Sequence, residues 1–191
     1  MRRVPDVEVI AVVGSGEDAC HLARAAALAG CTVRLHDPDV DSLRRAQDLI
    51  RGAIASAFAE GRLTATDRQR VLDGILPTPD LDEALTHADL VVELSAQAPE
   101  RRRSLLLRLG QSCRASAVLA TSSDAIDELM DWVPQPGRLV GLLLPAGEGA
   151  ALSILAGVET SAYALDLMQR FARRLGREAV VHRAGRQQEE S

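Results

Sequence analysis

Val7-Glu8-Val9-Ile10-Ala11-Val12-Val13-Gly14-Ser15-Gly16-Glu17-Asp18-Ala19 is the stretch from which the rest of the chain is read. Its first half is an apolar, β-branched run ending at a glycine, the pattern of a buried strand. Its second half spells G-x-G-x-x-A, and residues 17 to 29 then carry a helical pattern that stops at Gly30. A strand turning through two glycines into a helix is where a dinucleotide fingerprint belongs. Gly14 permits the tight turn, Gly16 lets backbone amides approach a pyrophosphate, and Ala19 keeps helix and strand in close contact. Ser15 lies between the glycines and belongs to the same candidate site. Thr32-Val33-Arg34-Leu35-His36-Asp37 reads as a second strand, with Asp37 about 20 residues beyond the loop. A carboxylate at that point accepts ribose hydroxyls and repels a 2′-phosphate, which favours NAD over NADP. Glu17 and Asp18 leave one question open. Facing the site they repel the diphosphate; facing outward they only cap a helix N-terminus.

Working outward, further strands are expected at 90–94, 117–120, 139–144 and 179–182. Helices are expected at roughly 39–60, from Thr64 to about Leu76, and over 99–113, 124–132 and 161–175. Thr64 and Asp67 form a capping-box-like start for the second of these. Strands alternating with helices imply an α/β fold: a Rossmann-type, doubly wound, mostly parallel sheet covered on both faces. We expect a single domain over residues 1–183 and a polar tail over 184–191.

Composition narrows the function classes. The 191 residues are 47% hydrophobic, enough for one domain with a substantial core. A net charge of −5 and 2% aromatic content argue against nucleic acid as a partner. No apolar run approaches the roughly 20 residues a membrane helix needs. The first residues lack the apolar stretch and cleavage site of a signal peptide, so a cytoplasmic protein is expected. Cys20, Cys31 and Cys113 show no CxxC spacing, so buried reduced thiols are expected and no metal site. All 22 basic residues are Arg, and the chain contains no Lys and no Asn.

Beyond the loop and Asp37, the sequence resembles the NAD-binding domain of 3-hydroxyacyl-CoA dehydrogenases over about residues 7 to 183. The most specific pieces are Ala26-Ala27-Leu28-Ala29-Gly30-Cys31-Thr32-Val33, Ala88-Asp89-Leu90-Val91-Val92-Glu93, Thr121-Ser122-Ser123 and Arg138-Leu139-Val140-Gly141-Leu142. Ala172-Arg173-Arg174-Leu175-Gly176-Arg177 followed by Val180-Val181 also looks like the family's last helix and strand. The resemblance implies NAD as cofactor. It puts Gly14, Gly16 and Asp37 at the family's cofactor positions, Gln97 and Arg102 where the family places a Glu and a Lys by the nicotinamide half, and Ser122 on the Ser of the family's Asn-Thr-Ser-Ser motif.

The same resemblance implies a missing dyad. The family's proton-abstracting His falls on Leu143 and its partner Glu on Ser153, and leucine cannot act as a general base. No catalytic residue is therefore assigned. His21, His36, His87 and His182 read as structural or surface histidines. A basic residue that contacts CoA in the family falls on Glu60, and Ala184-Gly185-Arg186 stands where the family runs on into a helical domain. Two readings follow. One is an oxidoreductase-related NAD-binding domain that cannot oxidise a hydroxyacyl substrate alone, working with a partner or second subunit. The other is a non-catalytic Rossmann module that binds a protein partner or a small metabolite. The apolar segment Ala150-Ala151-Leu152-Ser153-Ile154-Leu155 either fills the core or forms an exposed edge for a homodimer or protein partner.

Overall fold

Strand β1 (Val9–Val13) is the axis of the fold: its last four residues are buried, with Ile10, Ala11 and Val12 at 0% exposure. Only a strand packed on both faces tolerates such an unbroken apolar run. In a computed structural model describing residues 6–95, 97–145 and 150–183, β1 pairs in parallel with β2 (Thr32–His36) and with β4 (Leu90–Glu93). Strand β3 (Ile75–Thr78) lies beyond β2, and β5 (Val118–Thr121) and β6 (Leu139–Leu143) lie beyond β4, all parallel. The last two strands are β7 (Leu152–Ala156), antiparallel to β6, and β8 (Ala179–Arg183), parallel to β7. The full order is β3-β2-β1-β4-β5-β6-β7-β8. The chain reverses its direction of winding between β1 and β4, and in such sheets ligands bind at that switch point, beyond the carboxyl ends of the strands.

Helices α1 (Glu17–Leu28), α2 (Val40–Ala59), α3 (Ala65–Gly74) and α7 (Ala162–Arg174) share one core with Ile10, Val12, Val33 and Leu35. On the opposite face, α4 (Leu81–Leu85), α5 (Pro99–Ser112) and α6 (Ile126–Met130) pack on Ala11, Val13, Val91 and Leu119. The doubly wound, mostly parallel α/β sheet is the architecture expected from the sequence. The capping box at Thr64 and Asp67 forms in both directions, and all three cysteines are free and buried.

Three elements differ from expectation. The helix begun at Ala65 ends at Gly74, and Ile75 to Thr78 turn directly into β3, which carries a proline at Pro77. A proline strand is tolerated because β3 is an edge. The short helix α4 also escapes periodicity. Finally, the apolar segment around Leu152 is β7: Leu152 and Ile154 are fully buried and Leu155 packs against the α5–α6 core. It fills the core and offers no exposed apolar edge. The expected tail at 184–191, including Ala184, Gly185 and Arg186, lies outside the described residues. None of the described helices is long and apolar enough to cross a membrane.

Candidate functional site

The carboxyl ends of β1, β2 and β4 converge on the glycine loop. Gly14 has φ +117°, and a Cβ there would lie 2.9 Å from the Leu94 carbonyl carbon and oxygen. Its amide donates to the His36 carbonyl at 2.8 Å. Gly14 is thus required twice, by its left-handed backbone and by the strand end passing over it. Gly16 differs. It is the exposed N-cap of α1, its φ is −70°, and no atom lies within 4 Å of the position of a Cβ. The protein leaves open space above a helix start with no side-chain cap, where backbone amides and the helix dipole favour an anion. Ala19 is fully buried against the sheet, as the fingerprint requires.

Asp37 follows β2 directly, and its carboxylate is already oriented. The Ser15 hydroxyl donates to Oδ2 at 2.6 Å and the Asp39 amide donates to Oδ1 at 3.0 Å. The glycine loop therefore positions the acid expected to hold the ribose. Beside them lies a cavity of about 660 Å³ lined by Gly14, His36, Asp37, Pro38, Gln97 and Arg108, among others. Asp80 and Asp82 add acidic groups to its rim, which disfavours an extra phosphate on the ribose. Glu17 and Asp18 are both exposed, and Asp18 lines a separate groove of about 710 Å³ on the α1–α7 side, with His21 and Leu144. Neither acid lines the cavity that holds Asp37.

Gln97 joins this cavity; Arg102 and Ser122 do not line it. Arg102 is turned onto Glu93, with Nε 3.2 Å from Oε2, and its Nη2 donates to the Ser95 carbonyl at 3.2 Å. Glu93 is fully buried and also accepts from the Thr121 hydroxyl at 2.6 Å and from the Ser95 amide at 2.9 Å. The Ser95 hydroxyl donates to it as well. Ser122 sits beside this knot, its amide donating to the Glu93 carbonyl at 3.1 Å. Arg102 thus fixes the loop after β4 by ion pairing. Glu93 went unnoticed as a site organiser in the sequence, where the one signal was a carboxylate closing an apolar strand.

The two positions assigned to the missing dyad meet in space. Leu143 is the register partner of Ser153 across the antiparallel β6–β7 ladder. Leu143 is 38% exposed at the carboxyl end of β6. Ala146 and Gly147, which follow in the chain, lie outside the described residues. His21, His87 and His182 are exposed on other segments, and His36 belongs to the cavity beside Asp37. Among the described residues no group of His, Cys, Asp and Glu is arranged to hold a metal. Glu60 is paired with Arg62 and accepts from the Ser56 hydroxyl, which hold its carboxyl below the usual range.

Comparison with known proteins adds four findings. The family model for the 3-hydroxyacyl-CoA dehydrogenase NAD-binding domain matches residues 9–185. The chain is 30% identical over 179 residues to 3-hydroxyadipyl-CoA dehydrogenase of Escherichia coli, covering 92% of this chain and 38% of that protein. It is 28% identical to a probable 3-hydroxybutyryl-CoA dehydrogenase of Bacillus subtilis, covering 92% of this chain and 62% of that one. The crystal structure of an E. coli 3-hydroxybutyryl-CoA dehydrogenase superposes with a TM-score of 0.89 at 30% identity, over 94% of this chain and 39% of that one. The chain therefore spans less than two thirds of the length of these relatives.

Proposed function

The chain belongs to the family of NAD-binding domains of 3-hydroxyacyl-CoA dehydrogenases, and from that premise we propose that it holds NAD but does not itself carry out hydroxyacyl oxidation. NAD is the family's cofactor, and the residues present fit it: open space above Gly16 at a helix start without a side-chain cap, and an oriented acid at Asp37. When bound, NAD supplies a hydride acceptor. The amides of the first turn of α1 bind the diphosphate, Asp37 takes the ribose hydroxyls, and Ser15 holds Asp37 in place. Gln97 lines the same cavity as Asp37, and Arg102 fixes the loop after β4, with Ser122 beside it.

The observation that carries the catalytic half of the proposal is the Leu143–Ser153 pair. A hydride can leave a hydroxyl carbon only as a base takes the hydroxyl proton, and neither leucine nor serine at these positions does so. Losing a general base typically costs about 10² to 10⁴-fold. A partner protein or a second copy of the chain then supplies the acid–base groups that Leu143 and Ser153 lack. The same pair favours the second reading, a non-catalytic module for a protein or metabolite. Three free, buried thiols suit a reducing, cytoplasmic setting. The test is oxidation of 3-hydroxybutyryl-CoA by the purified chain with NAD. No turnover is expected, and a rate above about 1 s⁻¹, an ordinary enzyme rate, refutes the proposal.

A further inference from the structure

His36 closes β2, and its neighbours Val33 and Leu35 pack into the α1–α2 core. By the alternation of a strand, His36 turns to the opposite face, where it lines the cavity with Pro38, Leu105 and Arg108. It is 5% exposed. Nδ1 lies 3.2 Å from the Thr78 carbonyl oxygen, which can only accept, so Nδ1 carries the hydrogen. A neutral imidazole then keeps its lone pair on Nε2. No described residue bonds Nε2, and that nitrogen is not among the buried side-chain atoms left without a partner. His36 lines the cavity, and Nε2 is the ring nitrogen turned away from Thr78. The charged groups facing the ring are Asp37 beyond β2, Asp80 before α4 and Arg108 on α5, and burial outweighs them in pushing the imidazole pKa down. The ring is thus held neutral and ready to accept.

We propose that His36 reads the base of the bound dinucleotide, its Nε2 accepting a hydrogen bond from the exocyclic amino group of adenine. The inference rests on the reading that this cavity takes the adenosine half of NAD. Asp37, the next residue, takes the ribose, so the base joined to that ribose falls among His36, Pro38 and Leu105. A 6-oxopurine in the same place sets two acceptors face to face and leaves a buried nitrogen unpaired. An amino group is matched, and an oxo group is rejected.

The test is calorimetric titration of the whole chain with NADH and with its hypoxanthine analogue, for the parent and for His36→Phe. The parent is expected to bind NADH about tenfold more tightly than the analogue, the effect of leaving one acceptor unpaired. His36→Phe is expected to bind the two within about twofold of each other, with thermal melting confirming that it is folded. Should it not fold, His36→Gln serves, because its amide can turn either end to the base and the preference should again collapse. Equal affinity of the parent for both dinucleotides overturns this inference alone, as does an unchanged preference in a folded variant. Failure of the parent to bind either one overturns the cofactor reading and this inference with it.

Discussion

Gly16→Val separates folding from binding more sharply than any other single change in the loop. A Cβ at this position meets nothing within 4 Å, and the backbone φ of −70° is one that valine adopts readily. The cost to the fold is confined to replacing a glycine N-cap by a β-branched residue, about 1 kcal/mol. For a chain of this size that lowers the melting temperature by roughly 2–4 °C. The cost to binding is far larger, because the side chain fills the cradle intended for the pyrophosphate. Losing two charge-assisted hydrogen bonds at about 1.5–3 kcal/mol each amounts to 3 kcal/mol or more, and at 1.4 kcal/mol per decade that is over about 100-fold. Calorimetric titration with NADH, alongside circular dichroism and a melting curve, reads both quantities. A folded variant that binds NADH like the parent refutes the assignment of the cradle. Gly14→Ala is the control, since its Cβ would meet Leu94 backbone at 2.9 Å with φ at +117° and should damage the fold itself.

Asp37→Ala should weaken NADH by roughly 10- to 100-fold while leaving NADPH nearly unchanged; titration with both is the check, and an unaltered NADH affinity contradicts the role of the acid. Glu93→Leu should cost about 3 kcal/mol or more in chemical denaturation, because it leaves the Arg102 guanidinium and the Thr121 hydroxyl without their partner at the buried end of β4. Stability should also fall with pH through His36. Its pKa in the folded chain lies below the ordinary 6.5, so the unfolded chain binds the proton more readily and folding stability is lost as pH drops below about 6.5. Melting curves between pH 7.5 and 5 should show a slope in the parent that His36→Phe flattens.

The parts of the fold visible in the sequence were those with long, regular patterns. The buried runs at β1, β4 and β6 and the helices α2 and α7 follow from apolar periodicity alone. Strand β3 was hidden because Pro77 argues against a strand except at an edge, and edge position depends on the assembled sheet. Strand β7 was hidden because Leu152, Ile154 and Leu155 look alike whether they cover a core or a surface; only pairing with β6 decides it. At the site, the placing of Gly14, Gly16 and Asp37 was legible from spacing, since all three fall within one strand–loop–helix–strand unit. The Ser15–Asp37 bond was not, because it joins loops at the ends of two different strands. Nor was the Glu93–Arg102–Thr121 knot, which exists because β4 and β5 are neighbours. Leu143 and Ser153 were placed by resemblance alone; that they are register partners depends on the β6–β7 pairing.

The measurement that bears most directly on the whole account is calorimetric titration of the purified parent chain with NADH. A one-to-one isotherm saturating in the micromolar to low-millimolar range usual for such ligands is the predicted result. A folded chain that shows no binding at millimolar NADH would contradict it, and would leave a Rossmann framework whose glycine cradle holds something else.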